Sequence, residues 1–266
     1  MIVAAHQPHY IPWLGYLDKM AKADLFVVMD DLRFVSRNFQ HRQRLKLASG
    51  PAWLTVPIRH EAQTDRIIDQ QIVSPSGSPH HWQHRHWKTL LINYRSAPHF
   101  ADYADELHDV YTRPWVNLID LDLHMLELAR RWLDIRTPIL RSSQLGLIGT
   151  KTDRLIDLCK RVGARCYLSG TAGSVVYLDV EKVGRAGIGV VWQHFEHPEY
   201  PQRYEAAGFE SRLGFLDLVL NCGPASREIL FDGSHPVQLA AIEKATSRHW
   251  YSPSIDSPVV EWRAPL

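Results

Sequence analysis

Two histidines and a tyrosine follow the first apolar run of the chain. Residues 2–5 are apolar, and His6, His9 and Tyr10 occur within the next five positions. Polar side chains just beyond the carboxyl end of a parallel strand lie where α/β proteins bind ligands. An imidazole there can act as a general base or stabilise negative charge that develops on a substrate. We therefore expect a site at this point, with His6 as a candidate base.

The spacing of His6 and His9 also resembles the H-x-G-H signature of the nucleotidyltransferase branch of HUP-type Rossmann domains. In that signature the imidazoles stand at a helix N-terminus, whose dipole helps to hold phosphate charge. Pro8 here replaces the glycine that lets the backbone approach phosphate. This resemblance implies nucleotidyl transfer or ATP-dependent activation, which is the alternative function.

A pair of acidic residues and a run of basic residues follow the second apolar segment. Asp30 and Asp31 could bind Mg²⁺ or a ligand amine, or act as a general base. The basic residues are Arg33, Arg37, Arg42, Arg44 and Lys46. Guanidinium groups bind phosphates through paired hydrogen bonds, so this run predicts either a phosphate or diphosphate pocket or a solvated basic face. A phosphopantetheine arm, a nucleotide-linked sugar or the acidic surface of a carrier protein would suit it.

Three further candidates follow later apolar segments. Ser169 and Gly170, with Gly173 behind them, suit a backbone anion nest or an oxyanion hole. His194 directly follows the last predicted strand and is a second candidate base. Cys222 ends an apolar helix and could act as a nucleophile if an imidazole lay beside it. The serine and the histidine would share a crevice if their strands belong to one parallel sheet.

The histidine-rich segment and the cysteines do not predict a metal site or disulfides. His80 and His84 are four residues apart, as in zinc-binding helices, but no Glu stands between them and no third ligand is evident. Cys159, Cys166 and Cys222 are odd in number and form no C-x-x-C pair. We expect reduced thiols and no metal.

The composition is that of an ordinary globular protein of 266 residues. Hydrophobic residues make up 45% of the chain and charged residues 22%, which excludes a disordered or membrane-embedded class. The formal net charge of +1 argues against a general nucleic-acid binder. No apolar run reaches the roughly 18 residues of a membrane helix, and no signal peptide is recognisable. We expect a cytoplasmic protein that acts on small molecules.

Apolar runs alternate with helical patterns along most of the chain. The predicted strands are residues 2–5, 25–29, 53–58, 165–168 and 188–193. The predicted helices are residues 13–21, a helical insertion of two or three helices over about 82–135, and residues 151–162. This alternation implies an α/β fold with a Rossmann-like or HUP-like parallel sheet. We expect a single domain over residues 1–231 and a C-terminal extension, residues 232–266, that packs on it.

Several ordered segments together resemble the WbqC-like protein family over roughly residues 1–230. They are HQPHYIPWLGYLDKMAKADLFVVMDDLRF, WLTVPI, HWKTLLINYRSAPHF, YLSGTAGSVVYLD, GIGVVWQHFEHPEYPQ and LGFLDLVLNCG. The resemblance implies a place in bacterial O-antigen, other sugar or natural-product biosynthesis. For some members it implies a glycine or aminoacyl transferase that acts on a sugar amine. His9 stands where the family usually has Asn, which argues against the nucleotidyltransferase interpretation.

We predict an acyl or aminoacyl transferase that forms an amide on an amino sugar or related metabolite. The donor would be a thioester on an acyl or peptidyl carrier protein, linked through phosphopantetheine, and no further cofactor is predicted. The predicted catalytic residues are His6, Asp31, His194 and Cys222. The predicted substrate-binding residues are Gln7, Tyr10, Asp30, Arg33, Arg37, Arg42, Ser169, Gly170, Gln193 and Tyr200. A non-catalytic ligand-binding partner in a biosynthetic complex is the remaining alternative.

Overall fold

The structure of the chain is a computed structural model that describes residues 1–59, 66–73, 81–171, 178–233 and 238–239. Its strands are β1 (Ile2–His6), β2 (Leu25–Val28), β3 (Arg42–Leu47), β4 (Gly50–Thr55), β5 (Ile139–Arg141), β6 (Cys166–Ser169), β7 (Gly189–Trp192) and β8 (Gln238–Leu239). Its helices are α1 (Leu14–Ala21), α2 (Trp82–Tyr94), α3 (Phe100–Thr112), α4 (Leu118–Trp132), α5 (Ser142–Leu145), α6 (Lys151–Val162), α7 (Val180–Arg185), α8 (Phe215–Cys222) and α9 (Ser226–Asp232). Within these ranges, no helix has both the length and the apolar character that crossing a bilayer requires.

The main sheet has the strand order β5-β2-β1-β6-β7-β8. The first five of these strands pair in parallel, and β8 pairs antiparallel with β7. Numbered among themselves along the chain, the parallel strands run in the order 3-2-1-4-5, which is the order of doubly wound Rossmann folds. The predicted α/β fold with a Rossmann-like parallel sheet is therefore confirmed.

Alternate side chains of the central strands face two separate hydrophobic cores. Ala4 of β1 belongs to the core that α1, α8, α9 and the helical insertion build, whereas Val3 and Ala5 pack with α6 and α7. Burial on both faces explains why β1 and β2 are continuous apolar runs. The predicted helical insertion is confirmed and consists of α2, α3 and α4, all on the first side of the sheet.

The expected strand at residues 53–58 does not join the main sheet. Residues 50–55 form β4, which pairs antiparallel with β3 in a separate two-stranded sheet. Leu54 and Val56 are buried, but Trp53 is 43% exposed. This alternation is typical of an antiparallel strand with one buried face rather than of a buried parallel strand.

Residues 7–13, between β1 and α1, form a largely buried loop outside the sheet. Its backbone groups need partners from other segments, because an unpaired buried peptide group is costly. The Tyr10 N–H donates to the Phe39 carbonyl at 3.0 Å, and the Gln43 side-chain amide donates to the Ile11 carbonyl at 3.1 Å. The segment that leads into β3, and β3 itself, thus fix the loop.

Ile11 is the strained position of this loop. Its φ of 52° lies in the left-handed region, where a β-branched residue costs about 1–3 kcal/mol. Gly214, just before α8, packs directly on Ile11. The Phe215 N–H donates to the Pro12 carbonyl at 2.9 Å. The start of α8 therefore holds the loop from a third direction.

Gly214→Ala should destabilise the protein, because its new methyl group would lie 2.4 Å from Ile11 Cγ2 and 2.8 Å from the Ile11 carbonyl oxygen. We expect the free energy of unfolding to fall by about 1–3 kcal/mol, measured by urea denaturation. Gly170→Ala is the control, since the nearest described atom to its methyl would be Gln193 Oε1 at 3.9 Å. Equal stability of the two variants would contradict this account of the loop.

Candidate functional site

The carboxyl edge of the parallel sheet carries a row of polar residues. They are His6 at the end of β1, Asp30 and Asp31 after β2, Ser169 at the end of β6, and Gln193 and His194 after β7. From β1 the chain adds β2 and β5 on one side of the sheet and then β6 and β7 on the other side. The switch point of this topology lies between β1 and β6, which are hydrogen-bonded neighbours. Ligands bind outside the carboxyl ends of the strands at such a switch point. His6 and Ser169 therefore flank the expected crevice.

His6 is a partly exposed imidazole whose tautomer is fixed. Its Nδ1 lies 3.0 Å from the Gln7 carbonyl oxygen. A carbonyl only accepts hydrogen bonds, so Nδ1 carries the proton and Nε2 has a free electron pair. Burial, the nearby Lys19 ammonium and the opposing hydrogen bond to Gln7 together lower the pKa of His6 to about 4. The ring is therefore neutral at neutral pH, with Nε2 able to accept a proton.

Lys19 is a buried cation beside His6 that sequence reasoning missed. Its side chain is 4% exposed, and Nζ donates to the Ala5 carbonyl at 3.0 Å. Burial lowers the pKa of Lys19 to about 8. No carboxylate lies within ion-pair distance of its ammonium among the described residues. Because a buried cation is costly without an anion, Lys19 suits a negatively charged ligand group in this crevice.

The Asp30 carboxylate accepts hydrogen bonds from residues at the end of β5 and the start of α5. The donors are Arg141 Nε at 2.7 Å, Ser142 Oγ at 3.1 Å, and Ser143 N and Oγ at 2.9 and 2.8 Å. Burial alone would raise the pKa of Asp30, but the bonds from Arg141 and Ser143 outweigh it and lower the pKa. The Asp30 carboxylate therefore holds β5 and α5 against β2.

Asp31 is also bound to protein groups. It forms an ion pair with Arg154 of α6 at 2.5 Å and accepts a hydrogen bond from Ser142. A base needs a free lone pair, so a catalytic role would require Asp31 to release one of these donors on substrate binding.

Ser169 is buried at the end of β6, and its hydroxyl lies 3.5 Å from the Gly170 carbonyl oxygen. That separation is at the limit of a hydrogen bond. The hydroxyl is therefore weakly held and lies at the switch point. Gly173, the remaining glycine of the predicted nest, falls outside the described residues.

Gln193 and His194 tie β7 to α1. The Gln193 amide nitrogen donates to the Gly15 carbonyl at 2.7 Å and to Asp18 Oδ2 at 2.6 Å. The Lys22 ammonium donates to the His194 carbonyl at 3.0 Å. The Gln193 side chain thus has a structural task, and the His194 imidazole is exposed.

The basic run does not form one pocket in this structure. Arg33 and Arg37 are exposed. Arg42 stacks on Trp53, with its guanidinium carbon 4.0 Å from the ring centroid. This cation–π contact engages the flat face of the guanidinium group, whereas an anion would bind its in-plane N–H groups.

The last two basic residues are held by protein groups on the same hairpin strand. Arg44 forms an ion pair with Glu210 at 2.8 Å. The Lys46 ammonium is buried and donates to Gln202 Oε1 at 3.2 Å and to the Gly208 carbonyl. Arg44 and Lys46 therefore anchor the segment before α8.

A row of aromatic rings connects His6 with the exposed end of the hairpin. The ring centroids of His6 and His9 are 4.8 Å apart, those of His9 and Phe39 5.5 Å, and those of Phe39 and Trp53 5.7 Å. Arg42 lies over the last ring. The row thus has an imidazole base at one end and a cation at the other.

Gln7 and Tyr10 contact neighbouring protein groups. Gln7 Oε1 accepts a hydrogen bond from Gln40 at 2.9 Å. The buried Tyr10 hydroxyl lies 3.0 Å from His86 Nδ1 and 2.8 Å from the Tyr111 hydroxyl. Tyr10 therefore faces the helical insertion and joins it to the loop after β1.

Tyr200 and Cys222 belong to another buried network. The Tyr200 hydroxyl donates to Asp217 Oδ2 at 3.0 Å, and Tyr94 and Gln202 donate to the same carboxylate. Burial, and secondarily Asp217, raise the pKa of Cys222 to about 11. A nucleophilic cysteine needs a lowered pKa, so this environment disfavours the predicted thiolate role.

The amino-acid sequence of the chain matches the WbqC-like protein family over residues 7–229. The chain is also 32% identical to the uncharacterized protein Rv1507c of Mycobacterium tuberculosis over 230 residues, which cover 86% of this chain and 96% of that protein. The chain belongs to the WbqC-like family. No solved structure matches it significantly.

Across the described part of this WbqC-like chain, no three His, Cys, Asp or Glu side chains cluster as metal ligands. His80 lies outside the described residues, and His84 is exposed on α2. His86 is buried against Tyr10, and burial, followed by Arg85, lowers its pKa to about 3. The imidazole of His86 thus has a structural role.

Asp122 is the second residue that sequence reasoning missed. It lies on α4 and is 1% exposed, and neither carboxyl oxygen has a hydrogen-bond partner among the described residues. Burial raises its pKa well above the ordinary value. The sequence does contain a signal, because Asp122 occupies the apolar stripe that includes Leu118, Leu121 and Met125. An acid on the buried stripe of an amphipathic helix is uncommon.

Replacing Asp122 and Asp217 by Leu should have opposite effects on stability. Asp122 has no hydrogen bond to lose within the described part of the chain, so Asp122→Leu should raise the free energy of unfolding by about 1–3 kcal/mol. Asp217→Leu would leave the hydroxyls of Tyr94 and Tyr200 without their acceptor and should lower it by about 3 kcal/mol or more. Urea denaturation measures both. A comparable loss in both variants would show that Asp122 supports the fold.

Proposed function

We propose that this WbqC-like protein is an acyl or aminoacyl transferase that forms an amide on an amino sugar or related metabolite, in polysaccharide or natural-product biosynthesis. The observation that carries the proposal is the neutral His6 imidazole, whose Nε2 is free at the sheet edge beside the buried Lys19 ammonium. A base and a cation at one point suit a reaction that removes a proton and develops negative charge.

The proposed step is attack of an amine on a thioester carbonyl. The amine nitrogen forms a bond to the carbonyl carbon, and His6 Nε2 takes the proton that the nitrogen must lose. Lys19 stabilises the negative charge on the carbonyl oxygen. Collapse of the intermediate breaks the C–S bond, and the thiolate leaves and recovers the proton from His6. The Ser169 hydroxyl, at the neighbouring strand end, is a further donor for the oxyanion.

The charge of Lys19 also regulates the base. Its ammonium contributes to the low pKa of His6. Negative charge on the bound donor or on the oxyanion offsets this ammonium, so the His6 pKa rises toward neutrality as the reaction proceeds. A general base is most effective when its pKa is near the working pH.

The aromatic row supports a carrier-linked donor. A phosphopantetheine arm has a phosphate at one end, a long amphipathic chain and a thioester at the other. Arg42 offers a cation for the phosphate, and Trp53 and Phe39 offer an aromatic surface on the side of the buried His9 ring that is opposite to His6. The exposed Arg33 and Arg37 suit the acidic surface of a carrier protein.

The nucleotidyltransferase alternative receives less support from the geometry. It places both imidazoles at a helix N-terminus, but α1 begins at Leu14, after the buried loop. His9 is enclosed by Tyr16 and Phe39.

The function can be tested with thioester donors and amine acceptors. Purified protein is incubated with acyl and aminoacyl carrier-protein thioesters and nucleotide-linked amino sugars, and the amide product is detected by mass spectrometry. His6→Gln should reduce kcat by about 10²-fold or more, the usual contribution of a general base. His84→Gln, an exposed histidine on α2, is the matched control. Full activity of His6→Gln, or amide formation that needs ATP, would refute the mechanism.

The pH dependence of kcat/KM should report His6 and Lys19. His6 must be neutral, so activity should fall only below its pKa of about 4. Lys19 must be charged, so activity should also fall above its pKa of about 8. Lys19→Arg should move the alkaline limb upward, because guanidinium stays protonated. An unchanged alkaline limb in this variant would remove Lys19 from the mechanism.

A further inference from the structure

We propose that the gap above Gly170, between the side chains of His6 and Gln193, is the subsite for the amino-sugar acceptor, and that Gln193 Oε1 accepts a hydrogen bond from a ring hydroxyl of that sugar. The gap and its preference for a hydrogen-bond donor follow from three residues at the carboxyl edge of the sheet. Naming the ligand as the acceptor of amide formation rests on the proposed function.

Three neighbouring strands, β1, β6 and β7, bring the residues of this subsite to one level of the sheet. Ala4 of β1 pairs with Leu168 of β6, and Leu168 pairs in turn with Val191 of β7. Two residues further along each strand, the same register places the three subsite residues side by side. Gly170 is the middle one of the three.

The two outer side chains at this level reach α1. Residues two apart in a strand share a face, and the three paired residues two positions earlier all belong to the core on the α1 side. The ring of His6 lies 5.0 Å from the ring of Tyr16 on α1, between centroids. The Gln193 amide donates to the Gly15 carbonyl of the same helix at 2.7 Å. Gly170, which lies between them, has no side chain to fill the space.

Gly170 thus leaves a gap between the two flanking side chains. The methyl group of an alanine at this position would have Gln193 Oε1, at 3.9 Å, as its nearest described neighbour. The outer strands, β1 and β7, are two strand spacings apart, which is roughly 10 Å. This width suits a single sugar ring with a hydrogen bond of about 2.8 Å on each side.

The orientation of the Gln193 amide is fixed by α1. Its nitrogen donates to the Gly15 carbonyl and, at 2.6 Å, to Asp18 Oδ2. A carbonyl oxygen only accepts hydrogen bonds, so the nitrogen must face α1 and Oε1 must face the gap. The Gln193 side chain is largely buried, and no described residue donates a hydrogen bond to Oε1. A ligand in the gap can supply the missing donor.

The Gln193 oxygen selects a ligand group that carries a hydrogen. An amide oxygen has lone pairs but no hydrogen, so it cannot bind a carboxylate or a phosphate oxygen. The amide nitrogen donates to the Asp18 carboxylate, which polarises the amide and strengthens Oε1 as an acceptor. An amino sugar carries hydroxyl groups and its amine on one ring. With a hydroxyl on Gln193, the amine can lie toward His6 on the opposite flank.

Binding of D-glucosamine tests the subsite in the full chain, with cyclohexylamine as the control for ring size and charge. Isothermal titration should show saturable binding of glucosamine and clearly weaker binding of cyclohexylamine, which has no hydroxyl group. Gln193→Met keeps the length of the side chain but removes the acceptor. It should weaken glucosamine binding by about 2- to 10-fold, the usual contribution of one hydrogen bond, and leave cyclohexylamine binding unchanged. His84→Gln, on the exposed face of α2, should leave both affinities unchanged.

Gly170→Ala tests the gap without removing any hydrogen bond of Gln193. Its methyl group would stand beside Oε1, so glucosamine affinity should fall several-fold while the free energy of unfolding stays unchanged. In the amide-forming assay, this variant should raise the KM of the acceptor and leave the KM of the thioester donor unchanged. A rise confined to the donor KM would place the donor in this gap and overturn the proposal.

Three other results would also overturn the subsite: no saturable binding of glucosamine, equal binding of the two amines, or unchanged glucosamine affinity in Gln193→Met and Gly170→Ala. If Gln193→Met fails to fold, unchanged affinity in Gly170→Ala is sufficient. Glucosamine binding that depends on both residues, without any amide formation, would refute the proposed function and leave the subsite standing. Amide formation with an unchanged acceptor KM in both variants would do the reverse.

Discussion

The structure depends most on the burial of the loop between β1 and α1. A loop that leaves the sheet and turns inward cannot use the sheet for its own backbone hydrogen bonds. The segment before β3, β3 itself and the start of α8 supply the missing partners. The main sheet, the hairpin and α8 are therefore connected through these few residues. The left-handed conformation of Ile11 persists because all of these contacts hold it.

The same burial determines the chemistry at the sheet edge. His9 and Tyr10 are carried inward, whereas His6 stays partly open to solvent. Removal of water lowers the pKa of both His6 and Lys19, since burial penalises the charged form of either group. An electron pair and an ammonium group can then coexist at neutral pH. In water the same two forms would coexist between about pH 6.5 and about pH 10.4, so burial moves the pH range of their coexistence downward.

Local pattern predicts the fold better than the site, for a physical reason. The parallel strands are buried on both faces and the helices are amphipathic, so each has a signature within its own residues; α6, for example, is Lys151–Val162 as expected. The hairpin is different, because β3 alternates Arg and Lys with Gln and Leu and therefore resembles a basic run. Partners such as Arg141 for Asp30 lie over a hundred residues away in sequence, and no local pattern specifies them.

Asp122 differs from the buried polar groups that stabilise the fold, because its carboxyl oxygens have no hydrogen-bond partners among the described residues. Its neighbours on the α4 stripe are apolar and stabilise the core, so a leucine there would fit the pattern of the helix. Functional groups commonly lower stability because their partners are absent until a ligand binds. Asp217 is equally buried, yet its hydrogen bonds are complete. His9 and Tyr16, whose rings contact His6, also carry polar atoms without hydrogen-bond partners among the described residues, and this coincidence distinguishes the surroundings of His6 from an ordinary buried network.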